Sequence, residues 1–125
     1  MRLLLDTHAL LWALIDPERL RNEARAELVD PANDVAVSVV SAWEISIKQA
    51  AGRLHAPDDL PSALAEQGFI PLPITLSHAL LAGRLPLHHR DPFDRMLVAQ
   101  ADLEDLTLVT RDPHFEPYGV PLLAA

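Results

Sequence analysis

The feature that most limits the fold of this chain is the alternation of short apolar runs with longer segments of helical periodicity. Leu3 to Leu5, Val35 to Val40 and Leu106 to Val109 are apolar runs of strand length. Because such runs lack a regularly polar face, we expect them to be buried on both faces of a sheet. Parallel strands need helical crossovers, so the alternation predicts an α/β fold: a three-layer sandwich with a mostly parallel central sheet covered by helices.

Two further strands and six helices complete the predicted pattern. Phe69 to Ile74 is interrupted by prolines, which places this strand at an edge of the sheet. Gly119 to Leu123 is a candidate for the last strand. Apolar periodicity and terminal Gly, Pro or Asp residues predict helices at 9–15, 19–29, 41 to about 52, 57–67, 76–85 and 92–103.

Length and composition indicate one intracellular domain. With 125 residues, half of them hydrophobic, the chain can form one core but not two, so we interpret residues 1–125 as a single domain. The apolar start is interrupted by Asp6 and His8 before a signal-peptide core can form. The longest apolar run, Ala9 to Ile15, is far shorter than the ~20 residues of a membrane-spanning helix. Together with the absence of cysteine, this favours a soluble, cytoplasmic protein with no membrane partner.

The net charge of −8 argues against broad electrostatic binding of nucleic acid, because phosphate contacts are normally made by an excess of Lys and Arg. Clustered carboxylates, however, attract divalent cations that then bridge to phosphate. Nine of the ten basic residues are Arg, whose planar guanidinium matches phosphate. The charge is therefore compatible with a metal-dependent enzyme that acts on nucleic acid.

Four acidic residues follow the predicted strands. Asp6 comes directly after the first strand, and Asp112 follows the strand 106–109. Glu44 is predicted in the first helical turn after the strand 35–40, and Asp94 in the first turn of the helix that begins at Pro92. Because ligands of such sheets bind beyond the carboxyl ends of the strands, we expect these acids to converge there. Four converging carboxylates need a cation, and oxygen-only ligands suit Mg²⁺ or Mn²⁺.

Each of these acids also fits a simpler role at a helix N-terminus. Ser41 and Glu44 have the spacing of a capping box. Asp94 lies near the start of its helix, Asp6 is placed to cap the first helix, and Asp112 opens a turn. Taken singly, each acid is better interpreted as a cap, but the four together favour a metal site.

Four motifs give the chain a recognisable pattern: Leu-Leu-Asp6-Thr7-His8, Ser41-Ala-Trp-Glu44-Ile45, His88-His-Arg90-Asp91-Pro-Phe-Asp94-Arg95 and Leu-Val-Thr110-Arg-Asp112. In order and approximate spacing they resemble the PIN-domain ribonucleases of the VapC toxin type. The resemblance covers essentially the whole chain, and the block 88–95 is its most specific part.

This resemblance implies a PIN-like fold and a divalent-metal-dependent endoribonuclease that is paired with a small antitoxin protein. The same four acids would form its active site, although the fourth position, here Asp112, varies in that family. It also implies a homodimer, with exposed parts of the helices near Trp12 or at 57–67 as candidate contacts. Water activated by Mg²⁺ or Mn²⁺ would hydrolyse RNA and leave a 5′-phosphate.

Other polar residues near the acids are candidates for supporting roles. Thr7 and Thr110 follow strands and could hydrogen-bond a ligand carboxylate or a phosphate, with helix capping as the simpler alternative. Arg90, Arg95 and Arg111 flank the acids and are candidates for binding RNA phosphate, with ion pairs to neighbouring acids as the alternative.

The histidines and tryptophans are assigned structural roles. His88 and His89 are adjacent, and neighbouring residues rarely point at one ion, so a surface or hydrogen-bonding role is favoured over a zinc site. Trp12 and Trp43 lie among apolar residues of predicted helices. They are therefore interpreted as core or interface residues rather than as platforms for nucleic-acid bases.

Two other functional classes remain open from the sequence. A receiver-like phosphoacceptor domain would also place acids at the ends of parallel strands and bind Mg²⁺. It would need a lysine after a late strand, but the only lysine is Lys48, and Arg111 follows the late strand. A non-enzymatic protein-binding module, in which all four acids are caps, would need no metal.

Overall fold

The computed structural model describes all residues, 1–125, and contains a five-stranded sheet in which every pair of neighbouring strands is parallel. In spatial order the sheet is β3-β2-β1-β4-β5. The strands are β1 (Arg2–Leu5), β2 (Asp34–Ser38), β3 (Ile70–Leu72), β4 (Thr107–Thr110) and β5 (Leu122–Ala124). The first strand in sequence is therefore the central one.

Six α-helices connect and cover the strands. They are α1 (Thr7–Ile15), α2 (Asn22–Val29), α3 (Val39–Ala50), α4 (Leu60–Gln67), α5 (Leu76–Arg84) and α6 (Pro92–Leu103). Two short 3-10 helices, at Pro17–Arg19 and Pro113–Tyr118, follow α1 and β4. No helix has the length and apolar character that crossing a bilayer requires.

The sheet is buried on both faces. Successive side chains of a strand point to opposite faces, so Leu3 and Leu5 pack into one apolar cluster while Leu4 packs into the other. The first cluster draws on α1, α2 and α4, and the second includes Leu97 and Val98 of α6. The predicted three-layer α/β sandwich with a parallel central sheet is confirmed.

The predicted strand 35–40 is too long. It ends at Ser38, whose hydroxyl accepts a hydrogen bond of 3.0 Å from the backbone N–H of Val40 and caps α3. Val39 and Val40 are helical despite their β-branched side chains, because cap and packing outweigh intrinsic propensity. The predicted capping box of Ser41 and Glu44 is therefore wrong.

Other predicted boundaries also shift. The helix predicted at 19–29 is broken, because Leu20 has an extended backbone between the 3-10 helix and α2. The helix predicted from Pro57 begins at Leu60, where the carboxylate of Asp59 accepts from the backbone N–H of Ser62. The strand β3 lies at an edge, as its prolines predicted, and β5 extends to Ala124.

Candidate active site

The four acidic residues meet beyond the carboxyl ends of the central strands. Asp6 caps α1 after β1, and Asp112 follows β4 and caps a 3-10 helix. Asp94 lies in the first turn of α6. Glu44 lies in the second rather than the first turn of α3, because that helix begins two residues earlier than predicted. The charges of the other three acids all act on the carboxyl group of Asp94, which places the four in one electrostatic cluster.

Asp6 combines the two roles that the sequence left open. Its Oδ1 accepts a hydrogen bond of 2.7 Å from the backbone N–H of Ala9, which caps α1. Its Oδ2 accepts a bond of 2.5 Å from the hydroxyl of Thr110 at the end of β4. Only 5% of the residue is exposed, and this burial raises the pKa of the Asp6 carboxyl above its usual value despite both bonds.

Glu44 is held by neighbours on two different elements. Its Oε1 accepts a hydrogen bond of 2.6 Å from the hydroxyl of Thr7, the first residue of α1. Its Oε2 lies 2.5 Å from Nζ of Lys48, one helical turn further along α3. Since Glu44 is only 4% exposed and does not cap a helix, a structural role at a helix terminus does not account for it.

The carboxyl group of Asp94 has the most strongly shifted pKa of the site. Burial is the largest cause, and the negative charges of Asp91, Asp6, Glu44 and Asp112 add to it. Together they raise the pKa of the Asp94 carboxyl to about 8. Without a cation, this raised pKa favours the protonated form of the Asp94 carboxyl at neutral pH, and burial contributes more to it than the neighbouring negative charges do.

Asp112 is held at the rim of the site by two histidines. Its Oδ1 accepts from the backbone N–H of His114 at 2.9 Å and lies 2.7 Å from Nδ1 of the same residue. Its Oδ2 lies 3.0 Å from Nε2 of His89. Burial alone would raise the pKa of Asp112, but the hydrogen bonds from His114 and His89 outweigh it and lower the pKa below its usual value.

His89 is the site residue whose position the sequence did not reveal. Its Nε2 lies 2.9 Å from Oδ2 of Asp94 and 3.0 Å from Oδ2 of Asp112, so one imidazole nitrogen contacts two of the four acids. A hydrogen-bonding role was favoured for the pair of histidines, but without partners. His88 instead is exposed and packs its ring edge-on against Tyr118, at 5.1 Å between centroids.

The three candidate arginines have different environments. Arg95 is only 9% exposed, and its guanidinium donates hydrogen bonds to the backbone carbonyls of residues 82, 85, 86 and 89. These bonds hold the loop before α6 and replace the predicted phosphate contact. Arg111 donates to the carbonyl oxygens of Arg19 and Ala125. Arg90 is exposed and has no such contacts.

The two tryptophans are not both core residues. Trp12 is half-buried against the apolar cluster beneath α1, and the guanidinium of Arg111 lies 4.2 Å from the centre of its ring. Trp43 is 60% exposed and contacts Phe93 edge-on, with 5.3 Å between ring centroids. The core interpretation is therefore wrong for Trp43, while an interface role for it stays a prediction.

The donor set fits a hard divalent cation. Asp6, Glu44, Asp94 and Asp112 offer carboxylate oxygens only, which are the ligands that Mg²⁺ and Mn²⁺ prefer. The pKa of Asp94, raised by burial first and by the neighbouring acids second, is consistent with such a site, since a bound cation would offset both the buried charge and the repulsion. The four residues therefore fit such an ion by the chemistry of their donor atoms, whereas the side chains whose ligand atoms all lie within 4.8 Å of one another are His89, Asp112 and His114.

Comparisons with known proteins agree with this fold. A family model described as the PIN domain matches residues 3–120. No curated protein matches the sequence. Solved structures with the same fold include VapBC2 from Rickettsia felis bound to a promoter DNA fragment, with 17% identity, a TM-score of 0.72 and coverage of 99% of this chain and 98% of that chain.

Two further solved structures share the fold at similarly low identity. DNA-bound VapBC from Salmonella typhimurium has 16% identity, a TM-score of 0.72 and coverage of 98% of this chain and 97% of that chain. FitAcB from Neisseria gonorrhoeae has 20% identity, a TM-score of 0.63 and coverage of 98% and 96%. The match therefore extends over nearly the whole of each chain.

Proposed function

This chain belongs to the PIN-domain family, and on that premise we propose that residues 1–125 form a single PIN domain that acts as a divalent-metal-dependent endoribonuclease. The observation that carries the proposal is the convergence of four carboxylates, of which Asp94 has a pKa raised to about 8 by its burial and, in addition, by the negative charges of Asp91 and the other three acids. A cluster maintained against this repulsion is expected to serve a cation rather than stability.

Asp6, Glu44, Asp94 and Asp112 are the residues that would hold the ion. When bound, Mg²⁺ or Mn²⁺ supplies an activated water and offsets charge on the attacked phosphate. The surrounding side chains fix the orientation of these carboxylates. The carboxylates of Glu44, Asp6 and Asp112 already accept hydrogen bonds from their neighbours, so their orientation is fixed before an ion binds. The proposed hydrolysis needs no side-chain nucleophile.

The decisive experiment is incubation of the purified protein with total RNA in Mg²⁺, in Mn²⁺ and in EDTA. We expect cleavage only with a divalent ion, and products that carry a 5′-phosphate and a 3′-hydroxyl. Undiminished cleavage in EDTA, or products ending in a 2′,3′-cyclic phosphate, would contradict the proposed mechanism.

We further propose that the enzyme is the toxin of a toxin-antitoxin pair in the cytoplasm. Support comes from the VapBC and FitAcB structures that share its fold, two of the three cited being bound to DNA. Expression of the chain alone is expected to arrest growth, and co-expression of a neighbouring small gene to relieve it. Harmless expression of active enzyme would refute the toxin role and leave the nuclease proposal intact.

The chain exposes apolar surface to which a protein partner could bind. Val39, Trp43 and Ile47 recur at four-residue spacing along α3 and are all exposed, so they form one stripe on the helix. We propose a homodimer and a cognate antitoxin as the partners of such surfaces. Light scattering of the chain alone and with the product of the neighbouring gene distinguishes the two.

The two rival functions have less support. In a receiver-like domain the lysine serves the phosphate site, whereas Lys48 here is paired with Glu44. A module in which all four acids are caps would not explain Glu44, which is buried in the second turn of α3 and caps no helix. A melting temperature unchanged by millimolar Mn²⁺ would favour the module, because a ligand that binds only the folded state raises apparent stability.

A further inference from the structure

A groove leads away from the four acids along α1. Beside the acids lies a cavity of about 340 Å³, lined by Asp6, His8, Trp12, Arg111 and Asp112. His8 and Trp12 also line a second cavity of about 280 Å³, which extends to Arg19. Each cavity is near the lower end of the range of ~300–1,000 Å³ usual for small-ligand sites. Because two walls are shared, the cavities form one groove with Trp12 in its middle.

Hydrogen bonds and a stacking contact fix the planar guanidinium group of Arg111 in this groove. Its Nε and one terminal nitrogen donate to the carbonyl oxygens of Ala125 and Arg19, at 2.5 to 3.1 Å. Its guanidinium carbon lies 4.2 Å from the centre of the Trp12 ring. The other terminal nitrogen has no hydrogen-bond partner in the protein. The residue therefore presents a stacked, planar cation with free donors next to the acids.

The groove also brings two arginines close to one aromatic ring. Arg111 and Arg19 both approach the ring of Trp12, the latter at 5.9 Å. His8 adds a second ring, whose centroid lies 6.0 Å from that of Trp12. The nearby Asp16 is offset by Arg19, since Oδ2 of the acid lies 3.8 Å from the guanidinium Nε. After this pairing, the guanidinium of Arg111 is the cation of the groove that has no acidic partner, and it lies beside Asp6 and Asp112.

We propose that this groove is a subsite for one base of the RNA substrate, next to the phosphate that is cleaved. The inference rests on the proposed ribonuclease function. Trp12, His8 and Arg111 offer the flat faces on which unpaired bases stack, and the free nitrogen of Arg111 binds the adjoining phosphate. Asp6 and Asp112 belong both to the groove and to the metal site, so a nucleotide seated here has its phosphate beside the acids.

The direct test uses the two tryptophans as separate reporters. Trp43→Phe leaves Trp12 as the only tryptophan, and Trp12→Phe leaves Trp43. Each is combined with Asp94→Asn to suppress cleavage and is titrated with a short single-stranded RNA of mixed sequence. We expect RNA to quench the fluorescence of Trp12 along the same curve as its anisotropy-detected binding, and to leave Trp43 unchanged.

The affinities of variants for RNA provide a second test of the subsite. Trp12→Leu is expected to weaken RNA binding by about 10-fold or more, since stacking on an aromatic residue is worth ~1–3 kcal/mol per base. Trp12→Phe should retain most of the affinity, and Leu103→Ala, a control at an exposed apolar residue at the end of α6 opposite Asp94, all of it. Circular dichroism and melting confirm that Trp12→Leu is folded, because this residue also packs on the core.

The outcomes separate this inference from the function on which it rests. If wild-type protein cleaves RNA but Trp12 fluorescence does not respond and folded Trp12→Leu binds normally, the subsite is refuted and the nuclease stands. If RNA is neither bound nor cleaved, both fail. If Trp12→Leu alters dimerisation or antitoxin binding while the dissociation constant for RNA is unchanged, the groove is a protein contact and the subsite is refuted.

Discussion

The hydroxyl of Thr110 donates a hydrogen bond of 2.5 Å to Oδ2 of Asp6, across the boundary between two neighbouring strands. The other carboxylate oxygen of Asp6 caps α1 through Ala9. One side chain thus terminates a helix and also belongs to the acidic cluster. The same holds for Asp112, which caps a 3-10 helix with Oδ1 and contacts His89 with Oδ2. Cap and metal ligand are therefore compatible assignments for these acids.

The first prediction separates the two roles with Asp6→Asn and Asp94→Asn. Asn caps a helix about as well as Asp but removes a negative charge from the cluster. We expect metal-free stability to stay the same or rise, because like charges repel, and cleavage to fall by at least ~10²-fold. Melting temperatures with and without Mn²⁺ and cleavage rates are measured on the same preparations.

Asp59→Asn is the matched control for this pair. Asp59 caps α4 through the backbone N–H of Ser62, as Asp6 caps α1, but it is exposed and is not part of the cluster. Its replacement should change neither cleavage nor the stabilisation by Mn²⁺. Folded Asp6→Asn and Asp94→Asn variants that cut RNA at the wild-type rate would defeat the proposed site.

A second prediction concerns the hydroxyl groups that hold the carboxylates. Thr7→Val and Thr110→Val keep the shape of the side chain and delete the hydrogen bonds to Glu44 and Asp6. Loss of a partner that orients a metal ligand typically costs ~10–100-fold in metal affinity or activity. Calorimetric titration with Mn²⁺ measures the affinity. Thr107→Val, on the same strand but without a side-chain hydrogen bond, should bind Mn²⁺ as the wild type does.

The third prediction is a pH dependence of stability without metal. The carboxyl of Asp94 has a pKa of about 8 in the folded protein, against an ordinary value of 3.8. Between these values the folded protein keeps a proton that the unfolded chain has lost. The contribution of Asp94 is therefore full below pH 3.8 and is lost as the pH rises to about 8.

In EDTA, the melting temperature of the wild type should accordingly fall more steeply with rising pH over this range than that of Asp94→Asn. The raised pKa of Asp6 acts in the same direction and is common to both proteins. The lowered pKa of Asp112 affects stability only in more acidic solution. Parallel curves for the two proteins would contradict the assignment of the perturbed group.

The fourth prediction contrasts two arginines of the block before and within α6. Arg95→Met removes the donors to four backbone carbonyls and should lower the free energy of unfolding by about 1.5–3 kcal/mol or more, as expected for hydrogen bonds of a charged group. Arg90→Gln removes an exposed cation and should leave stability unchanged. Urea denaturation measures both.

The same arginine pair also tests RNA binding. If Arg90 binds phosphate, Arg90→Gln weakens RNA binding and reduces its dependence on salt concentration. An equal loss of stability in both variants would show that the loop before α6 depends on charge in general rather than on the buried guanidinium of Arg95.

The sequence predicted the acids because each follows a strand or opens a helix, and parallel strands bring those points to one edge. It did not predict the environment of His89, since contact with Asp112 depends on how the loop before α6 meets the turn after β4. The start of α3 was misplaced because Ser38 and Ser41 both suit a cap, and only packing decides between them. Arg95 was misjudged for the same reason: burial of a cation is set by tertiary structure.

The central position of β1 has a consequence for the timing of synthesis. Its two neighbours in the sheet are β2 and β4, and β4 is made more than a hundred residues after the first residue of the chain. Until β4 has been translated, Asp6 lacks Thr110, and Asp112 does not exist. A nascent chain is therefore expected to be inactive on the ribosome, so that it does not cleave the messenger RNA from which it is translated. A chain truncated after Asp105 should cleave no RNA.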